Sequence, residues 1–192
     1  LIQRAIKFEQ QNFLYIKALG SPWVQFNGHT LNLSHRQIEI LCILALHPYG
    51  IGLDELHYAL YGERNVSIKT LKAELSQLRS LLPHCIEARI YKLTCEVQCD
   101  FVRAEQSLNA NLIASTFSLY KGSFLSKSES PLLSTWRHCF DARLSQLIYQ
   151  IKDIDQLLRI IGQTHDRIDA VQRLLELLPQ DSIHRNYFSN LI

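Results

Sequence analysis

Residues 67–82, SIKTLKAELSQLRSLL, carry the best-organised polar chemistry of this 192-residue chain. Ile68, Leu71, Leu75, Leu78 and Leu82 recur at helical spacing and mark a stripe to be buried. At about 100° per residue, Lys69, Ala73, Ser76 and Ser80 fall nearly opposite that stripe. Thr70, Lys72, Gln77 and Arg79 flank them. Ala and Ser keep the ridge thin, so another molecule can approach the helix backbone. A glutamine amide can pair with adenine, and Ser or Thr hydroxyls with several base edges. Lys72 and Arg79, on the flanks, stand where phosphates would run if the ridge entered a major groove. The other reading is a polar face that meets only water, though such faces usually carry more Glu–Lys pairs four residues apart.

Other residue types that could do chemistry form weaker patterns. Cys95 and Cys99 would share one face of a strand, with His84 and Cys85 upstream. Structural zinc sites use two closely spaced pairs, whereas side chains of the adjacent His84 and Cys85 diverge. No C-x-x-C opens a helix, so a redox thiol pair is not expected either. The remaining histidines are scattered, and neither a phosphate-cradling glycine loop nor H-E-x-x-H occurs. Asp54, Glu55 and Glu63 read as ordinary surface acids. The expectation is a protein without catalysis, metal or cofactor.

The elements that would position the 67–82 helix are legible. FLYIKALG and SPWVQFNGHTLNL read as short strands, with Asn27-Gly28 as a two-residue hairpin turn. Ser34 and Gln37 form a capping box ahead of the helix HRQIEILCILALHP, whose Ile38, Leu41, Cys42 and Ala45 share a face. LDELHYALYG is a second helix stopped by Gly62. Pro83 ends the third helix, and HCIEARIYKLTCEV is β-rich and short enough for a hairpin. Three helices between two hairpins is the layout of a winged helix-turn-helix, whose third helix enters the groove. Arg89 and Lys92 would then lie on the wing, beside phosphates. A solvated hairpin arginine is the other reading of Arg89.

From Asp100 the pattern becomes all helical. LLSTWRHCFDARLSQLIYQI is a long amphipathic helix, and three helices of about 12 residues follow. DIDQLLRIIGQTH and DRIDAVQRLLELLP, with Pro179 after them, resemble one tetratricopeptide-type hairpin. The expected fold class is α+β, a winged helix-turn-helix followed by an all-α tetratricopeptide-like domain. The expected boundaries are 1–12, a linker helix from an upstream domain; 13–98, the winged helix; and 99–192, the helical domain.

Residues 13–98 also resemble the OmpR-type winged helix. ALGSPWVQFNGHTLNL corresponds to its leading sheet, LSHRQIEILCILALHP and GLDELHYALYG to its first two helices, and SIKTLKAELSQLRSLL, with S-x-L-R, to its recognition helix. The second half resembles the bacterial transcriptional activation domain through CDFVRAEQSL, LYKGSFLS, WRHCFDARLSQLI and DAVQRLLELLPQDSIHRNYF. Together they resemble the SARP-like antibiotic-regulatory transcription factors. The resemblance implies double-stranded DNA as ligand, RNA polymerase as a partner through the connector Gly62–Ser67, and dimers or further contacts through the helical half. The departures are Tyr61 where the family has Trp, Ile90 where it has Gly, and Ser76, Gln77 and Glu87 where many relatives carry Arg. Fewer cations imply weaker non-specific binding and a shallower salt dependence.

Bulk numbers agree with a modest electrostatic role. Net charge is +2, from 20 Lys+Arg and 18 Asp+Glu, so any DNA affinity must come from local placement of charge. The 47% hydrophobic content suits a globular chain, and no apolar run reaches a membrane span of roughly 18 residues. Five cysteines without a signal-peptide pattern favour reduced thiols in a cytoplasm. The chain contains no Met, which, with the amphipathic LIQRAIKFEQQ, suggests a piece of a longer protein bearing an upstream sensor domain. The rival from another class is a protein-interaction scaffold with a degenerate winged helix, which the low basicity favours.

Overall fold

The computed structural model describes residues 12–164 and 166–190. The expected linker helix, residues 1–12, lies outside them but for Asn12. Strands β1 (Phe13–Lys17), β2 (Trp23–Phe26) and β3 (His29–Leu31) form an antiparallel meander. Asn27 and Gly28 both take positive φ, 49° and 82°, which the two-residue turn requires. Leu14, Ile16 and Val24 point into the core, while Tyr15 and Trp23 pair on the other face with ring centroids 5.2 Å apart.

Helices α1 (His35–Leu46), α2 (Leu53–Tyr61) and α3 (Ile68–Leu81) follow. Both bonds of the capping box are made: Gln37 N–H donates to Ser34 Oγ at 3.2 Å, and Ser34 N–H to Gln37 Oε1 at 3.0 Å. The sequence predicts one apolar face for α1. In the structure every residue from Gln37 to Leu44 is buried, because α1 touches α2 and α3 and also a helix of the second half.

Strand β4 (Glu96–Cys99) departs from the expected closing hairpin. It pairs in parallel with β1, Cys99 opposite Ile16, and completes a sheet of order β3-β2-β1-β4. Residues 84–93 fold back through one bridge, Ile86 to Leu93, rather than through regular strands. The apolar residues of this stretch serve other neighbours: Tyr91 exchanges two backbone hydrogen bonds with Ile51, at 2.9 and 3.0 Å. Gly50 makes this approach possible, since its φ is +95° and a Cβ there would stand 2.3 Å from Ile90 Cγ2.

The second half comprises α4 (Asp100–Asn109), α5 (Ile113–Leu119), α6 (Pro131–Gln150), α7 (Ile154–Gln163), α8 (Ile168–Leu177) and α9 (Ile183–Ser189). One apolar core runs through both halves, from Leu14 to Leu174. Polar pins cross between them. Asp100, buried, accepts from the backbone N–H groups of Ala18, Leu19 and Phe101 at 2.8–3.0 Å. Burial pushes its carboxyl pKa up, against the pull of those three donors. Ser130 caps α6 and donates to the Ala59 carbonyl at 2.7 Å, with Pro131 in the first helical turn. Ser128 donates to buried Glu39, which Arg36 neutralises at 2.5 Å. In the helical half, α7 and α8 pack on each other and α8 on α6. Arg167, only 7% exposed, bridges Asp141 and Asp169 and lies over the Tyr120 ring.

Candidate nucleic-acid interface

Helix α3 starts at Ser67, whose side chain accepts from Lys69 N–H at 3.2 Å. Leu71, Leu75, Leu78 and Leu82 are buried against α1 and α2. Fully burying a leucine contributes roughly 1.5–3 kcal/mol, so these four fix which face turns outward. That outward face holds Lys69, Thr70, Lys72, Ala73, Ser76, Gln77, Arg79 and Ser80, all exposed. Their exposure leaves this face uncovered by the second half among the described residues. The ridge of Ala73, Ser76 and Ser80 therefore stands open. Ser80 Oγ donates to the Ser76 carbonyl at 3.1 Å, which turns its hydroxyl proton inward and leaves lone pairs facing out.

Charge around the ridge is unevenly committed. Among the described residues Lys69, Lys72 and Arg79 carry no ion pair. Lys92 is half-buried and paired with Glu87 across the 84–93 loop at 3.2 Å. It must leave that carboxylate to meet a phosphate. Arg89 is exposed at the tip of the loop with φ +85°, in the left-handed region that a side chain seldom adopts. The structure thus gathers the eight helix residues on one surface and puts Arg89 and Lys92 on the neighbouring loop.

Between the end of α3 and that loop lies a trough of about 640 Å³, bounded by Arg79, Ser80, His84 and Glu87. Leu82, Pro83, Ile86 and Ala88 also line it.

Two contributors escape a reading by spacing. Gln37 lies in α1, 6% exposed, yet its Nε2 donates to Gln77 Oε1 at 2.9 Å. Its amide thus serves the α1 cap with one end and the α3 surface with the other. The capping-box pattern identifies the first bond but contains nothing about the second, which depends on how α1 crosses α3. His84, with φ +62°, is the other, turned into the trough by the reversal after Pro83.

The cysteine alternatives take definite places. Cys99 is buried beneath the sheet, while Cys95 is half-buried, and burial pushes both thiols up to about 12. His84 is exposed and Cys85 buried, so the adjacent pair does diverge. Among the described residues no three His, Cys, Asp or Glu side chains gather as a metal site. No helix there is long and apolar enough to cross a membrane.

The architecture is therefore α+β, a winged helix-turn-helix followed by a helical half. No protein-family model matches the chain. An uncharacterized 47.3 kDa protein in the thcA 5′ region of Rhodococcus erythropolis is 29% identical over 153 residues, 79% of this chain and 35% of that protein. The chain thus spans about a third of the length of this curated relative. Among solved structures, Mycobacterium tuberculosis EmbR, in complex with a low-affinity phosphopeptide, matches with a TM-score of 0.55 at 16% identity. The match covers 94% of this chain and 56% of that one, so the likeness of fold extends through both halves.

Proposed function

We propose that the chain binds duplex DNA sequence-specifically and regulates transcription, as a SARP-like regulator with an OmpR-type winged helix over 13–98 and a tetratricopeptide-like activation domain over 99–192. The observation that carries this reading is the open ridge of Ala73, Ser76 and Ser80, flanked by cations free of ion pairs among the described residues. A helix fits the major groove only if its leading edge is slim. Thr70 and Gln77 read base edges from the ridge's flanks, and Lys69, Lys72 and Arg79 hold phosphates. Arg89 and Lys92 touch the backbone from the wing, Lys92 after exchanging Glu87 for a phosphate.

The likeness to EmbR supports this reading at the level of fold. By the family resemblance the connector Gly62–Ser67 faces RNA polymerase, and the helical half organises homodimers. A cytoplasmic site of action, without catalysis or a cofactor, goes with such a role. Selection of bound sequences from a random duplex pool tests the reading: enrichment of one motif supports it, and its half-site spacing reports dimer geometry.

One observation favours a scaffold that binds proteins alone, namely the net charge of only +2. Mobility-shift titration separates the two readings. A regulator binds duplex DNA with an affinity that falls as salt rises, and a scaffold leaves duplex DNA free.

A further inference from the structure

Away from the α3 ridge, the structure holds a broad open groove of about 1160 Å³ between α2 and α6, closed at one end by α1 and α4. It exceeds the roughly 300–1,000 Å³ of most small-ligand sites. Its walls are apolar: Leu46, Tyr58, Leu132 and Trp136 line it. Tyr58 is 62% exposed, although it sits on a helix whose Leu56, Leu60 and Tyr61 turn inward. Trp136 is held rigid from behind, stacked on Phe140 at 4.8 Å and edge-on to Phe101 at 5.6 Å. A preset aromatic in an apolar trough is the kind of anchor that dominates protein interfaces.

The rim is acidic. Asp54, Glu55 and Glu105 line the groove, and among the described residues no Lys or Arg does. Glu105 meets Arg143 at 3.5 Å, while Asp54 and Glu55 are exposed.

We propose that this groove docks an amphipathic helix of a partner protein, one with an apolar stripe flanked by Lys or Arg. Charge complementarity selects the cationic flanks. The groove's shape selects a helix, since it runs between two helices and offers no sheet edge to an extended strand. None of the proposed DNA-contacting residues lines it, so the inference stands whether or not the chain binds DNA.

The probe is a fluorescein-labelled peptide of about 16 residues, with leucines at i, i+3 and i+7 spacing and lysines on both flanks. Its twin carries glutamates for the lysines. Of the five cysteines only Cys139 is exposed, and it lines the groove, so its protection from a bulky maleimide reports where the peptide sits. The lysine peptide should bind with Kd below about 100 μM, and the glutamate twin at least about tenfold more weakly. Bound lysine peptide should shield Cys139. Thr135→Arg, at an exposed groove position, should weaken lysine-peptide binding at least about tenfold without changing the circular dichroism. Tyr58→Ala should weaken it too. Equal binding of the twins, no measurable binding, an unshielded Cys139 or indifference to Thr135→Arg would each overturn the proposal. So would a dimer, seen by sedimentation, that Thr135→Arg dissociates, because a second copy would then be the occupant.

Discussion

Gln37 and Gln77 stand 40 positions apart and join through their amides, Nε2 of the first donating to Oε1 of the second at 2.9 Å. The bond ties the first helix of the winged unit to the polar flank of the third. It engages the carbonyl end of Gln77 and leaves the amide –NH₂ to face outward. In the proposed complex, Gln77→Ala relaxes preference at one base pair, a discrimination of about 1–3 kcal/mol. Gln37→Ala relaxes the same position, because Gln77 then swings freely. It also removes the partner of Ser34 N–H, one of the two bonds of the capping box, and lowers stability by about 1 kcal/mol. Binding-site selection with the two variants checks this. Loss at different positions, or at none, speaks against the coupling.

Lys72 bears on the phosphate contacts. Being exposed and free of ion pairs among the described residues, it stabilises nothing in the folded chain that its removal would upset. Lys72→Ala should weaken all duplexes alike and lower the salt slope by about one. Fluorescence anisotropy at several salt concentrations measures both. A variant with the parent's slope places Lys72 off the backbone.

Ser128 bears on the junction between the halves. Its hydroxyl donates to Glu39 and accepts from Ser130 N–H at 3.2 Å, all buried. Ser128→Ala leaves a buried N–H without its partner and should lower unfolding stability by about 1–3 kcal/mol. By contrast Glu129→Ala, which breaks the exposed pair with Arg64, should cost at most about 1 kcal/mol. Urea denaturation of the two variants gives the comparison. Equal effects would contradict this account of the junction.

Much of this was legible in the residues, and the exceptions share a cause. The capping box of α1, the Asn27-Gly28 turn and the outward face of α3 follow from local pattern, because each rests on neighbours within a few positions. The parallel pairing of β4 with β1 joins residues 13–16 to 96–99, a separation that periodicity does not encode. The burial of α1 on nearly all sides depends in part on α6, which arrives much later in the chain and packs on it. The run IEILCIL carries that signal as an excess of apolar residues. Within the candidate site, spacing identifies the ridge and its flanks. It misses Gln37, which depends on how α1 crosses α3, and it misses that Glu87 holds Lys92, which depends on how the 84–93 loop folds back on itself.

Two carboxyls give the pH dependence a definite sign. Burial is the leading cause that raises Asp141 and Asp100 above 3.8. Between the unfolded and the raised folded values the folded chain binds more protons, so their contribution to stability falls as pH rises through that window. Asp141→Asn removes one such contribution. The variant should gain stability relative to the parent as pH rises from just above 3.8 toward neutrality. Denaturation midpoints across that range measure the difference. A difference that shrinks with rising pH would mean that the attraction of Arg167 outweighs burial.

The central claim is that a slim ridge slides between two phosphate backbones, and widening that ridge tests it most directly. Ser76 is exposed and packs on nothing in the core, so Ser76→Trp should leave the melting temperature within about 2 °C of the parent. Titrated with the duplex enriched from a random pool, the parent should bind with an affinity that falls as salt rises, and Ser76→Trp should bind at least about tenfold more weakly. A folded Ser76→Trp variant that binds the same duplex as tightly as the parent, with the same base preferences, would contradict the account.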